Sequence, residues 1–145
     1  MAFTEHPYDH DPAHPSYGLE AAQALGLDPA QVFKTLLARV DGELVVAVVP
    51  VTSSLDLKAL AAAVGGRRAA LARPEDAQRS TGYVVGGISP LGQRKRLPTV
   101  VDASAAEQGR VYVSGGRRGL DVGLATQDLV RLTGATTARI AAPGR

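Results

Sequence analysis

The chain has 145 residues and a mass of 15.0 kDa, enough for one domain with a hydrophobic core and too little for two. Cysteine is absent, which excludes disulfides, thiolate nucleophiles and cysteine-ligated zinc, and a net charge of only +2 gives weak support for a nucleic-acid partner. Because there is no apolar run of about 20 residues and no visible signal peptide, we expect one cytoplasmic domain over residues 1–145, with no membrane partner.

The first half of the chain alternates short helices with short strands. In chain order, the pattern predicts a helix at Tyr17–Leu27, strands at Phe33–Val40 and Leu44–Val51, and a helix at Leu57–Val64. Asp41-Gly42, between the two strands, is a strong signal for a two-residue hairpin. The second of these strands is almost continuously apolar, which is typical of a strand buried on both faces.

The second half continues the mixed pattern. It predicts a helix at Pro74–Ser80, strands at Thr99–Asp102, Arg110–Ser114 and Leu120–Leu124, and a helix at Gln127–Leu132 capped by Thr126. Many short strands with helices between them predict an α+β (mixed α/β) fold. We expect a mixed, barrel-like β-sheet flanked by helices.

Lys34 stands out on the first predicted strand. A period of two puts it on the same face as Leu36, Ala38 and Val40, so that a cation points with the apolar residues. Burying an unpaired ammonium is costly, which favours an anionic partner or a position at the mouth of a pocket. The alternative is an edge-strand lysine that reaches solvent and discourages aggregation.

A glycine-rich loop precedes a basic triplet. Gly86, Gly87 and Gly92 allow the backbone of Arg79–Pro98 to approach a ligand closely, and Arg94-Lys95-Arg96 favours an anionic, phosphate-bearing ligand. The segment matches neither the dinucleotide-binding fingerprint nor the P-loop. A tight turn and a solvated charge run are the structural alternatives.

Two further patterns carry little chemistry. His6, His10 and His14 are spaced by four, but Pro7, Pro12 and Pro15 interrupt any helix that would align them, so we expect no metal site. Ser114 is followed by two glycines, but it lacks the Gly-x-Ser-x-Gly context of a hydrolase nucleophile. An ordinary serine hydrolase is therefore disfavoured.

Four segments together resemble the YbaK family of free-standing aminoacyl-tRNA deacylases, which are related to the editing insertion domain of bacterial prolyl-tRNA synthetases. The segments are Val32-Phe33-Lys34-Thr35-Leu36, Arg79 to Gln93, Lys95-Arg96-Leu97-Pro98-Thr99 and Tyr112-Val113-Ser114-Gly115-Gly116. The similarity extends from about Tyr8 to Ala141. It implies a mixed β-barrel flanked by helices and an enzyme that removes a misattached amino acid from tRNA.

The resemblance also implies roles for individual residues. Lys34 matches the family's essential lysine, which holds the aminoacylated 3′ end, and Gly87-Ile88-Ser89-Pro90 matches the Gly-x-x-Pro loop along the ester. Gly86 belongs to the same substrate-binding loop. Pocket positions are matched by Tyr8, Thr35, Ser114 and Asp121, and Tyr17 stands where relatives often carry phenylalanine. The triplet Arg94, Lys95 and Arg96 would bind the tRNA backbone.

The branch that this chain resembles clears cysteine from tRNA for proline without a cofactor. If the substrate thiol attacks its own ester, the protein supplies orientation and charge stabilisation, and the Gly87 amide with neighbouring donors would stabilise the oxyanion. The alternatives are a deacylase for alanyl-tRNA(Pro) or another aminoacyl-tRNA, and a non-catalytic module that binds tRNA or a synthetase. Prolyl-tRNA synthetase is a candidate partner.

Overall fold

The structure is a computed structural model that describes residues 2–14 and 16–143; Pro15, one of the three prolines that interrupt the histidine spacing, lies outside them. The α-helices are α1 (Tyr17–Leu25), α2 (Leu57–Ala63), α3 (Pro74–Thr81), α4 (Ala105–Gln108) and α5 (Thr126–Thr133), with a 3₁₀ turn at Pro29–Gln31. The strands are β1 (Phe3–Pro7), β2 (Phe33–Val40), β3 (Glu43–Pro50), β4 (Ser53–Leu55), β5 (Ala69–Leu71), β6 (Thr99–Asp102), β7 (Arg110–Arg117), β8 (Leu120–Ala125), β9 (Thr136–Ala138) and β10 (Ala141–Pro143).

Side-chain caps mark the start of α1 and α2 but not of α3, α4 and α5. The Ser16 hydroxyl accepts a hydrogen bond from the Leu19 amide at the start of α1, and the Asp56 carboxylate accepts one from the Ala59 amide at the start of α2. Thr126 is not the cap of α5, as predicted, but its first residue. Its hydroxyl instead donates to the Ala105 carbonyl at 2.8 Å, which ties α5 to α4.

The β2–β3 hairpin is confirmed. Asp41 and Gly42 both have positive φ (50° and 88°), which matches the twist of the flanking strands, and Val40 pairs with Glu43 across the turn. The Asp41 carboxylate accepts hydrogen bonds from the amides of Arg67 and Arg68. The turn is thereby joined to the segment that leads into β5.

The strands form three hydrogen-bonded sheets. The largest has the order β5-β2-β3-β6-β9 and is mixed, with β3–β6 and β6–β9 parallel; the others are β1-β8-β7 and β10-β4. The expected mixed α+β architecture is confirmed. The expected barrel is not closed among the described residues, because the β2 and β7 sides are joined in backbone pairing by one isolated bridge, between Val32 just before β2 and Tyr112 of β7.

The five-stranded sheet is buried on both faces, as the apolar run in β3 predicted. Val46 and Val48 pack on one face with β7, β8 and α5. Val45 and Val49 pack on the other face against α2. Among the described residues, no helix is both long enough and apolar enough to cross a membrane.

One edge of this sheet is only partly covered. β5 pairs with Ala38–Val40 of β2, and the Ala72 amide donates to the Leu37 carbonyl, but pairing on this side does not extend to Phe33–Leu36. The first half of β2 therefore presents an open edge. A cavity of about 380 Å³ lies at this opening.

Candidate active site

A cavity of about 380 Å³ lies at the open edge of β2, between α1, α3, the glycine loop and the β7–β8 ribbon. Its volume falls within the range of about 300–1,000 Å³ that is typical of small-molecule sites. We call it the main cavity. Eight residues predicted for the site line it: Tyr8, Tyr17, Lys34, Thr35, Gly86, Ile88, Ser114 and Asp121. Gly87, Ser89 and Pro90 do not.

Lys34 is half-buried in β2, opposite Val49 of β3. Because β2 is regular, Lys34 lies on the face that includes Ala38 and Val40, as the period of two predicted. Desolvation lowers the pKa of its ammonium group. Among the described residues, no carboxylate lies within 4.0 Å of it. The sequence predicted either an anionic partner for Lys34 or a position at the mouth of a pocket. The structure shows the second of these, since Lys34 lines the main cavity.

Asp121 supplies the opposite charge to the same cavity. It lies on β8, paired with Ser114 of β7 and His6 of β1, and is only 5% exposed. Burial raises the pKa of its carboxyl group to about 7. Within the described part of the chain, its Oδ2 atom has no hydrogen-bond partner. A buried carboxylate oxygen without a donor is a position that a ligand cation can fill.

Tyr8 lies beside this carboxylate. Its backbone amide donates to the Gly119 carbonyl at 2.9 Å, which holds the end of β1 against the β7–β8 turn. Burial raises the pKa of the Tyr8 phenol. A hydrogen bond with the Gly119 backbone works to lower this pKa, and the charges of Asp121 and Glu20 raise it further. Tyr8 therefore stays protonated and can donate a hydrogen bond into the cavity.

Arg118 determines the shape of the glycine loop, although no sequence pattern identified it. It follows β7 in the turn, and its Nε and Nη2 atoms donate to the Val85 carbonyl at 2.9 and 2.6 Å. Its guanidinium lies 4.7 Å above the Tyr17 ring. Gly86, at φ 89°, fits beneath them, because a Cβ there would come within 2.9 Å of both side chains.

Gly87 contributes differently from what was predicted. Its amide donates to the Val84 carbonyl at 2.9 Å and so is not free to stabilise an oxyanion in this conformation. A side chain here would lie 2.8 Å from the Arg117 backbone, which explains the glycine. The amides on either side, of Gly86 and Ile88, have no acceptor among the described residues. These two amides replace Gly87 as the candidate donors.

The rest of the loop is held by its own side chains. Ser89 is buried, and its hydroxyl accepts from the Leu91 amide at 3.2 Å. Its carbonyl accepts from the Gln93 side chain at 3.0 Å, while the Tyr83 hydroxyl donates to the Leu91 carbonyl at 2.7 Å. Ser89 thus supports the loop and does not line the main cavity. Pro90 lines a second cavity, which is described below.

A buried carboxylate organises the N-terminal segment. Glu20 in α1 accepts a hydrogen bond from the Asp11 amide at 2.6 Å and contacts His10 Nδ1 at 2.7 Å. Burial works to raise the pKa of Glu20, but the hydrogen bonds from His10 and Asp11 lower it overall. His6 and His14 contact Tyr112 and Gln23 instead, so the three histidines do not converge. Over residues 2–14 and 16–143, no group of three metal-ligating side chains is found.

The basic triplet lies outside the main cavity. Arg94 packs beside Gly82 at the end of α3, where the amides of Arg94 and Lys95 donate to the Thr81 and Ser80 carbonyls at 3.0 and 3.1 Å. Lys95 and Arg96 line a second cavity of about 180 Å³ between the loop and α5. Lys95 and Arg96 thus line a cavity that Arg94 does not line.

Comparison with known proteins identifies the family of the chain. Residues 13–132 match the family model described as the aminoacyl-tRNA editing domain. A candidate Cys-tRNA(Pro)/Cys-tRNA(Cys) deacylase, EbsC of Enterococcus faecalis, is 37% identical over 121 residues, covering 82% of this chain and 73% of the relative. The multifunctional Ser/Thr-tRNA deacylase ProXp-y of Escherichia coli is 32% identical over 104 residues, covering 68% and 62%.

Solved structures give the same result. The crystal structure of a candidate trans-editing enzyme for prolyl-tRNA synthetase superposes with a TM-score of 0.85 at 28% identity, covering 97% of this chain and 87% of that one. A hypothetical protein of known structure superposes equally well at 26% identity, covering 98% and 93%. The fold, the family match over residues 13–132 and the relatives agree: the chain belongs to the aminoacyl-tRNA editing domain family, of the YbaK type.

Proposed function

We propose that this protein is a trans-editing deacylase that removes cysteine mischarged on tRNA(Pro), acting in the cytoplasm. The observation that carries the proposal is the pair of opposite charges, Lys34 and Asp121, that line one cavity, each without a counter-ion among the described residues. EbsC, which is 37% identical over the aligned region, is named for the same substrate. An aminoacylated 3′ end carries both complementary charges, a phosphate and an α-ammonium group.

The two charges orient the substrate. Lys34 binds the phosphate of the terminal adenosine, because an ammonium that is already partly desolvated gains most from an anionic ligand. Asp121 accepts the α-ammonium group of the amino acid at its unpartnered Oδ2 atom. The ester between them then lies along Gly86 and Ile88, whose backbone amides have no acceptor among the described residues. The walls of the site are completed by Tyr8, Tyr17, Thr35 and Ser114.

This arrangement suits a reaction in which the substrate supplies the nucleophile. The cysteine thiol loses its proton and its sulfur attacks the ester carbonyl; an S–C bond forms, the C–O bond to the ribose breaks, and the ribose oxygen takes up a proton. The products are a cyclic thiolactone and uncharged tRNA. Intramolecular delivery lowers a barrier by roughly 7–11 kcal/mol when the geometry is favourable, which is more than one general base usually contributes. The free amides stabilise the oxyanion.

The second candidate uses water instead of the thiol. The relationship to ProXp-y, named a Ser/Thr-tRNA deacylase, favours a hydroxyl-bearing amino acid as substrate. A deacylase for alanyl-tRNA(Pro) and a non-catalytic tRNA-binding module are the competing functions that the experiments below distinguish. Delivery of the substrate by prolyl-tRNA synthetase is a further part of the proposal, supported by the resemblance to a trans-editing structure.

A panel of amino acids on one tRNA(Pro) tests the choice of substrate. We expect cysteine to be released at least tenfold faster than serine, threonine, alanine or proline, because only cysteine carries a thiol that reaches its own carbonyl. The measurement is the single-turnover rate of ester loss. Equal rates for the cysteine and serine esters would contradict self-attack, and an unchanged lifetime for every ester would contradict a deacylase.

Lys34→Met tests the phosphate anchor, with Lys58→Met as the matched control. Lys58 is an exposed lysine on α2 that does not line the cavity. We expect Lys34→Met to lower kcat/KM for Cys-tRNA(Pro) at least 100-fold, mainly through KM, with an unchanged or slightly higher Tm. Lys58→Met should retain wild-type kinetics. A folded Lys34→Met protein with wild-type kcat/KM would remove Lys34 from the site.

The variant Asp121→Asn tests the role of the buried carboxylate through the pH dependence of stability and of activity. Because the pKa of Asp121 is raised from 3.8 to about 7, its charged form destabilises the empty fold fully above pH 7, and this cost disappears as pH falls from 7 toward 3.8. At pH 8 the variant should be more stable by up to roughly 4 kcal/mol, since one pKa unit corresponds to about 1.4 kcal/mol. The advantage should shrink at pH 5.

The same variant should lose activity. Wild-type kcat/KM should rise with pH through about 7, as the carboxylate that receives the ammonium group forms, and Asp121→Asn should be low and lack this step. Chemical denaturation and kcat/KM profiles at pH 5 to 8 measure both effects. A variant that is less stable at pH 8 and keeps the wild-type pH profile would refute the role of Asp121.

A further inference from the structure

The second cavity lies on the other side of the loop that closes the main cavity. Ile88 faces the main cavity, whereas Pro90 and Gly92 line the second one. Two residues of backbone extend at most about 7 Å, so the two cavities are neighbours. The buried Ser89 between them, hydrogen-bonded at its hydroxyl and its carbonyl, fixes their spacing.

The walls of the second cavity combine positive charge with apolar surface. Lys95 and Arg96 are exposed at its rim, and no acidic residue lines it within the described part of the chain. Among the described residues, no carboxylate lies within 4.0 Å of either cation. Pro90, Leu97 and Leu132 provide the apolar part, and Leu132 is 38% exposed. Cations suit a phosphate, and the apolar wall suits a sugar or base face.

The cavity is preformed but small. The Lys95 amide is tied to the end of α3 by its bond to Ser80, and the Arg96 guanidinium lies next to Gly134 at the end of α5, so both residues are anchored at their backbone or head group. Its volume of about 180 Å³ is below the range of about 300–1,000 Å³ for complete small-molecule sites. The second cavity is therefore better suited to one residue of a polymeric ligand than to a complete small molecule.

We propose that the second cavity binds a nucleotide of the RNA single strand that lies 5′ of the terminal adenosine. This proposal rests on the proposed function, because the terminal adenosine must occupy the main cavity. The phosphate of this nucleotide lies at Lys95 and Arg96, and its sugar or base lies on Leu132. Specificity for base sequence is not expected, since phosphate and stacking contacts are tolerant of sequence.

The test compares a long and a short substrate with one double variant. Lys95→Gln/Arg96→Gln removes both cations, and Arg67→Gln/Arg68→Gln is the matched control, since these arginines precede β5 at the opposite edge of the five-stranded sheet. Cysteinyl-tRNA(Pro) reaches both cavities, whereas cysteinyl-adenosine reaches only the main one. All proteins are first compared by Tm.

We expect the double variant to lose at least tenfold in kcat/KM on cysteinyl-tRNA(Pro) and to stay within twofold of wild type on cysteinyl-adenosine. The dependence of log kcat/KM on log salt should also flatten by about 0.7 for each phosphate that the variant no longer neutralises. The control should match wild type on both substrates. Equal losses on both substrates, or no loss on either, would overturn the second cavity as a nucleotide site.

A binding experiment separates this proposal from the proposed function. Fluorescence anisotropy with an uncharged single-stranded RNA that ends in CCA needs no catalysis. The double variant should bind at least fivefold more weakly than wild type and control at 100 mM salt, and equal binding by all three would overturn the nucleotide site. If wild type releases no amino acid from either substrate, the proposed function fails, whatever the binding result.

Discussion

The site depends on keeping two opposite charges out of water without letting them neutralise each other. Lys34 is on β2 of the five-stranded sheet, and Asp121 is on β8 of the three-stranded sheet. Because the two sheets are separate, the charges line one cavity from different walls. Each is disfavoured by desolvation, which lowers the pKa of Lys34 and raises that of Asp121. A ligand that brings an anion to one and a cation to the other relieves both.

The backbone conformation of the glycine loop between these walls is fixed by side chains and backbone from other parts of the chain. Arg118 binds the Val85 carbonyl and stacks on Tyr17, and this contact leaves room only for glycine at position 86. Gly87 permits the approach of the Arg117 backbone and donates its own amide within the loop. The same backbone segment separates the main cavity from the second one. Under the two proposals above, this segment contacts the ester from the main cavity and the preceding nucleotide from the second cavity.

Sequence patterns predicted the features that depend on residues close together in the sequence. The Asp41-Gly42 hairpin, the two-faced burial of β3 and the face of Lys34 follow from neighbouring residues and are confirmed. The unclosed barrel, the close approach of the Arg117 backbone to Gly87 and the role of Arg118 depend on segments that are distant in sequence. Asp121 was chosen by resemblance, but its burial arises from pairing with β1 and β7, which no window around it reveals. Short strands such as β9 form only against β6 and carry little pattern of their own.

The titration of Asp121 tests the central claim most directly. With ¹³C-labelled aspartate, NMR can follow its carboxyl carbon in the free protein and with 3′-cysteinylamino-3′-deoxyadenosine 5′-phosphate, whose amide replaces the labile ester. The pKa should lie near 7 in the free protein and fall by at least one unit when the α-ammonium group binds. A bound analogue that leaves this pKa unchanged would contradict the account.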